Sequence, residues 1–317
     1  MSRVTGPQDY RTPRSFRNAL ILQSRELARQ RGWSMEHVRD WFFFQRLAAR
    51  VFEHDPNGWL ILGGQALLIR YQGQSRMSRD IDLQYAPASG LEEAYSALAQ
   101  AASRDLNDFL SFGVPPSLSD VDPDHATQPV GVEVSIAGTP ITHIKVDLTA
   151  GTRYTDPPAV SELRPELPLL QEGVPWPRVR LAPALGHVCD KICAMYTRYG
   201  ANRVPSTRVR DLVDVLLMCQ QEVFEGPELY STLTQEVRRR QERGHEVVLP
   251  SQFHIPNPTW ERSYPEQARQ VRGLQGCGTL AEARVVAARF LDPVLGSCAR
   301  ERPLTGKWSV EAGWHGP

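Results

Sequence analysis

Lysine is almost missing from this 317-residue chain: of 36 basic residues only Lys145, Lys191 and Lys307 are lysine. A composition so tilted towards arginine makes each retained ammonium notable, because a compact point charge differs chemically from a planar guanidinium. Net charge is also lacking, with 36 acidic residues balancing the basic ones. The chain as a whole is therefore no basic nucleic-acid coat, and any RNA contact must come from a local patch. No apolar run reaches the roughly 18 residues that a membrane-spanning helix needs, so no membrane partner is expected. Met1 to Arg17 is polar and Arg-rich without an apolar core, so no secretory signal is expected there. Cysteines are few and odd in number, five in all, which fits reduced thiols and a cytoplasmic setting better than a disulfide framework. Cys189 and Cys193 stand four apart with no second pair at ligand spacing, which argues against zinc. His187, His245 and His254 likewise have no partners at ligand spacing.

What remains, 41% hydrophobic and 23% charged residues with a mean hydropathy of -0.38, suits a globular chain of more than one domain. The pattern predicts a flexible N-terminus over 1–14 and helices over 15–52, broken at Gly32-Trp33-Ser34, where Ser34 and Glu36 mark a helix start. Trp41-Phe42-Phe43-Phe44 reads as core. A catalytic-type α/β core is expected over 53–150. It opens with a short strand, Trp59 to Leu62, followed by Gly63-Gly64 and a helix. Asp80 to Tyr85 alternates at period two, Leu91 to Leu110 reads as helix, and Pro115 to Pro129 as polar loop. Gly131–Ile136 and Thr142–Leu148 predict an antiparallel hairpin. A proline-rich linker is expected over 151–183, a helical domain over 184–300 and a tail over 301–317.

The sharpest chemical signal is Asp80-Ile81-Asp82. Residues i and i+2 of a strand project from one face, so the two carboxylates point together while Ile81 and Leu83 face the core. Such a pair repels unless a proton or cation intervenes. Magnesium, which takes one or two carboxylates plus phosphate oxygens, is the obvious cation; manganese is its substitute. A strand that ends in Gly63-Gly64 before a helix lets backbone N–H groups approach a phosphate. A third carboxylate completes many two-metal sites; Asp147, flanked by Val146 and Leu148, is favoured, with Glu133 as the competitor.

These blocks together resemble the DNA polymerase beta-like nucleotidyltransferases. Within them, Gly63-Gly64-Gln65-Ala66-Leu67 and Arg76-Met77-Ser78-Arg79-Asp80-Ile81-Asp82 are most similar to the AbiEii/AbiGii-type toxins, the MenT-like enzymes included. Further matches are Asp190-Lys191-Ile192, Arg210-Asp211-Leu212-Val213-Asp214, Pro258-Thr259-Trp260, Tyr264 and Phe290-Leu291-Asp292-Pro293, so the resemblance spans roughly residues 15–295. Many relatives carry Ser or Thr where Gln65-Ala66 stands, which leaves a backbone cradle without a side-chain hydroxyl.

The resemblance implies an α/β nucleotidyltransferase palm with a mixed sheet, an N-terminal helical extension and a helical C-terminal domain. It implies transfer of NMP from a nucleoside triphosphate to an acceptor, the 3′ end of tRNA, by the toxin of a type IV-like toxin–antitoxin or abortive-infection system. A cognate antitoxin would be the partner. Asp80 and Asp82 would hold magnesium, with Asp147 completing the metal site. Gly63, Gly64, Ser78 and Lys191 would bind the nucleotide; Asp80, Lys191 and Asp211 would be catalytic, Asp211 positioning Lys191 or the nucleotide. The alternatives are a catalytically idle nucleotide-binding module, or NMP transfer to a protein or small molecule. Residues read alone leave Ser78 open to a local turn bond, Asp214 to a solvated helix face, and Arg238-Arg239-Arg240 with Arg243 to either an RNA track or a solvated face.

Overall fold

The computed structural model describes residues 6–116, 127–154, 156–200 and 202–316. Residues 1–5 of the expected flexible start, 117–126 of the expected loop, Thr155 of the expected linker and Pro317 of the tail lie outside the described residues. The chain forms two compact units, one of Met1–Arg70 and Met77–Ala182, the other of Tyr71–Arg76 and Pro183–Pro317.

The first unit begins with a 3-10 turn, Pro7–Asp9, and Tyr10 packs edge-on against Phe16 at 5.3 Å. Helix α1 (Pro13–Arg31) is capped by Thr12 and stopped by Gly32 in the left-handed conformation, φ 67°. Ser34 then accepts from the His37 amide at 3.1 Å and starts α2 (Met35–His54). Trp41 to Phe44 and eight of the ten residues that follow in α2 are buried, so this part of the helix is enclosed nearly all round and fills the core. Then come β1 (Trp59–Leu62), α3 (Gly63–Arg70), β2 (Asp80–Tyr85), α4 (Leu91–Ala102), β3 (Leu110–Gly113), β4 (Thr127–Ile136), β5 (Thr139–Ala150), β6 (Ala159–Glu162) and β7 (Arg178–Leu181).

Among the described residues these strands make one mixed sheet in the order β3-β4-β5-β2-β1-β7-β6. The expected hairpin is present as β4 and β5. Strand β2 pairs antiparallel with β1 and parallel with β5, and β1 pairs parallel with β7. The sequence 91–110, expected as one helix, ends its helix at Ala102, and its last residue, Leu110, opens the edge strand β3. The proline-rich stretch 151–183 contributes β6 and β7 to this sheet, with its prolines flanking the strands rather than interrupting them.

One sheet face is covered by α2 and α4. It carries Ile61, Ile81, Leu83, Ile144, Val146, Leu148, Val179 and Leu181 in a single apolar core. Inside that core a charged triad is buried. Arg46 and Arg50 both bond Asp108, each at 2.7 Å, with no exposed surface on any of the three side chains. Arg46 also donates to the Pro175 carbonyl at 2.8 Å, and Arg50 to those of Arg104 and Leu110. Burial raises the Asp108 pKa, but the bonds and charges of Arg50 and Arg46 outweigh it and hold the carboxyl below its ordinary value.

The second unit is mainly helical: α5 (Ala184–Tyr196), β8 (Thr197–Tyr199), β9 (Val204–Pro205), α6 (Val209–Gln221), β10 (Phe224–Glu225), α7 (Gly226–Glu242), β11 (Glu246–Val247), α8 (Trp260–Arg269), α9 (Leu280–Ala299), β12 (Lys307–Ser309) and β13 (Gly313–His315). Helices α6 and α7 both pack on α5. Tail residues Trp308 and Trp314 close over Phe290 of α9, at ring separations of 4.9 and 5.9 Å. Segment Tyr71–Arg76, which lies between α3 and β2 in the chain, is bonded within this unit. The Tyr71 hydroxyl donates to Glu222 at 2.9 Å, and the Gly273 amide to the Gln74 carbonyl at 3.0 Å.

Candidate active site

The sheet face opposite α2 and α4 carries three carboxylates of β2 and β5. In β2 the apolar Ile81 and Leu83 turn to the core, which sends Asp80 and Asp82 to the other side. The parallel register with β5 puts Asp80 opposite Lys145 and Asp82 opposite Asp147, so all four side chains share that face. Glu133 is opposite His143 on the β4–β5 ladder, four residues along β5 from Asp147, and contacts His143 at 4.0 Å. At roughly 3.3 Å per residue this is about 13 Å from the Asp82–Asp147 rung. The structure thus brings Asp147, and not Glu133, beside the pair.

Lys145 has no part in any sequence motif above, yet its ammonium meets both carboxylate oxygens of Asp147, at 2.8 and 3.0 Å. Burial lowers its pKa, but the bond to Asp147 and the fields of Asp147, Asp80 and Asp82 raise it above the usual lysine value. Spacing could have found it: on a strand, the residue two before Asp147 shares its face. Ser78, itself buried, donates to Asp80 Oδ1 at 2.9 Å, so its hydroxyl serves the carboxylate next to it.

Gly63 opens α3 with φ 58°, a conformation that disfavours a Cβ. A Cβ there would fall 1.8 Å from Asp82 Oδ2. The Asp82 carboxylate therefore lies over the glycine Cα, at the point where the strand gives way to the helix. Gly64 follows, buried in the first turn. The first helical amides have no partner within the helix and, with the helix dipole, favour an anion.

In the second unit a buried ion network joins α5, α6 and the excursion 71–76. Lys191 is 4% exposed, and its ammonium lies 3.0 Å from Asp211 Oδ1 and 2.9 Å from Asp214 Oδ2. Arg76 grips Asp214 with two parallel bonds of 2.9 and 2.8 Å, the fork geometry that suits a carboxylate. Arg208 takes the other oxygen of Asp211 at 2.6 Å. Burial works against every charge here, yet the opposite charges prevail. Lys191 is held above its ordinary pKa by Asp211 and Asp214. Asp211 is held below by Lys191 and Arg208, and Asp214 well below by Arg76 and Lys191. All therefore stay ionised at neutral pH. Three cations face two carboxylates, and Arg208, with 37% of its side chain exposed, is the member best placed to meet a dissolved anion.

Asp214 is thus no solvated helix residue: it is 1% exposed and shared by two cations. Arg76 and Arg208 carry no role in the sequence reading. Arg76 was visible as the first residue of the Arg-x-Ser-x-Asp block. The arginine run of α7 is partly spoken for, since Arg239 and Arg240 both bond Glu236, and Arg240 also bonds Asp190.

Residues 45–275, well over half the chain, match the family described as nucleotidyl transferase AbiEii toxin, type IV TA system. The chain belongs to this family. No curated protein matches the sequence. This AbiEii-family chain is therefore a nucleotidyltransferase and the toxin of a type IV toxin–antitoxin system, which implies a nucleoside triphosphate substrate and an antitoxin. Among the described residues no helix is long and apolar enough to cross a membrane. Nor do any three His, Cys, Asp or Glu side chains converge there as a ready-made metal site. Asp80, Asp82 and Asp147 nonetheless offer carboxylate oxygens on the β2–β5 face, the ligand type that a hard divalent ion takes.

Proposed function

We propose that this chain moves NMP from a nucleoside triphosphate to the 3′ end of tRNA, in the cytoplasm, with magnesium or manganese as cofactor. The observation that carries the metal-dependent part is the shared face of Asp80 and Asp82, with the Asp82 carboxylate set directly over Gly63. Asp80 and Asp82 would hold the ion, which supplies Lewis-acid charge at the α-phosphate. Gly63 and Gly64, without side chains of their own, would let the triphosphate approach the backbone at a helix N-terminus. Ser78 fixes the Asp80 carboxylate by its hydrogen bond. Lys191, charged and clamped by Asp211, adds a fixed positive charge that favours the polyphosphate.

In the reaction the acceptor hydroxyl oxygen bonds the α-phosphorus while the bond to the bridging oxygen breaks. Pyrophosphate leaves with that electron pair, and the hydroxyl proton passes to a base or to water. Positioning and charge neutralisation supply most of the rate enhancement in such transfers.

The acceptor rests on the family resemblance rather than on a basic surface, since Arg239 and Arg240 are paired with acidic neighbours. Purified protein, magnesium and each of the four α-labelled ribonucleoside triphosphates, incubated with tRNA, test it. Label in tRNA with the wild type and not with Asp80→Ala is expected. Label in protein or in a small molecule, with none in tRNA, would overturn the tRNA assignment and keep the transferase.

A further inference from the structure

Two-metal transferases place their ions about 3.5–4 Å apart and need enough carboxylate to bridge and flank both. On the β2–β5 face Asp147 is held by a cation of the chain itself. Asp147 meets the Lys145 ammonium with both oxygens, at 2.8 and 3.0 Å. The neighbouring strand leaves Lys145 free to turn that way. Its β4 partner is Gly131, which has no side chain and open space where one would be. On the other side its register partner is Asp80. The lysine thus has Asp147 beside it on its own strand and Asp80 across from it on β2, and it is one of only three lysines in a chain whose default cation is arginine.

We infer that Lys145 takes the place of a second metal ion, so that the face holds one divalent cation, on Asp80 and Asp82, with Asp147 neutralised from within the chain. The inference rests on the reading that Asp80 and Asp82 bind metal, and goes beyond it by assigning Lys145 a positioning role and Asp147 a partner. A half-exposed ion pair is weak on its own, so the lysine does not bar a second ion by the strength of one bond. It does so because a divalent ion at Asp147 would have to expel the ammonium and then stand against the ion on its neighbour, at a few ångströms' distance.

Manganese, titrated alone into the full chain and followed by its electron paramagnetic resonance signal, counts the sites without reference to activity. The wild type should bind about one ion, Lys145→Met about two, and Lys145→Met with Asp147→Asn about one again. Circular dichroism and a thermal melt establish that each variant is folded. Two ions on the wild type, or one on both the wild type and Lys145→Met, would overturn the lysine's role and leave the metal reading intact. Two ions on the double variant would show that the second is not held by Asp147, which also overturns it. No ion on the wild type would remove the metal reading itself, and this inference with it.

Discussion

Gly63 and Asp82 are in such close approach that a Cβ on the glycine would lie 1.8 Å from the Asp82 Oδ2 atom. The antiparallel register explains it, because Leu62, the last residue of β1, is paired with Asp82. The next residue must turn into α3 directly beneath the carboxylate, with φ 58°. Position 63 therefore has two independent reasons to be glycine. Gly63→Ala should lower nucleotidyl transfer by at least about tenfold, because displacements near 1 Å at a reacting centre cost this much or more. It should also cost about 1 kcal/mol of stability for the left-handed backbone. Transfer rates and thermal melts of Gly63→Ala beside Gly64→Ala check this; an unchanged rate for Gly63→Ala would show that Asp82 can move without consequence.

Lys191 between Asp211 and Asp214 gives a second expectation. Removing one partner from a buried ion pair leaves an uncompensated charge, at about 3–5 kcal/mol. Asp214→Ala should therefore destabilise by about that much, and denaturant unfolding measures it. Lys191→Arg should not restore transfer lost in Lys191→Met, since a guanidinium does not fit the gap that a compact ammonium fills between two carboxylates. Full activity of Lys191→Arg would mean that charge alone matters there.

Much of the first unit was legible because its signals are local. Alternation in Asp80–Tyr85 fixed which residues face the core, the runs Gly131–Ile136 and Thr142–Leu148 marked the hairpin, and Ser34 announced α2. Strands β6 and β7 were not legible. They are four residues each, sit among prolines, and owe their place to a parallel pairing of Leu181 with Ile61, far away in sequence. The same reason hid the state of Asp214, which is paired with Arg76, 138 residues away. Lys145 was within reach of the period-two rule but was read only as a rare lysine.

Acid should unfold the protein through its paired carboxylates. Asp108, Asp211 and Asp214 all titrate below the ordinary aspartate value in the folded chain. A depressed folded pKa means stability that is fully present above the unfolded value, near 3.9, and lost as pH falls through the folded one. Denaturation midpoints should change little from these groups between pH 7 and about 5, then fall below about pH 4. A midpoint unchanged down to pH 3 would contradict the ionised state of these three groups.

The thiols should be slow to alkylate. Cys189, Cys193, Cys219 and Cys277 are buried and Cys298 is partly exposed. Burial pushes Cys277 and Cys298 up to about 11 and the other three higher still. At pH 8 a thiol near 11 is thiolate in only roughly one molecule in a thousand, against about a quarter for a free thiol. Iodoacetamide at pH 8 should label the native chain at least about a hundredfold more slowly than free cysteine, and all five thiols should react after denaturation. Rapid native labelling of Cys189 or Cys193 would show that α5 opens readily.

Under the proposed function, the β2 carboxylates and the clamped Lys191 are each needed for nucleotidyl transfer. Pyrophosphate release, measured together with nucleotide incorporation into tRNA, tests this most directly. One pyrophosphate is expected for each nucleotide added, with both lost in Asp80→Asn and in Lys191→Met while the proteins remain folded. Incorporation that continues in either variant, or triphosphate turnover without pyrophosphate, would contradict it.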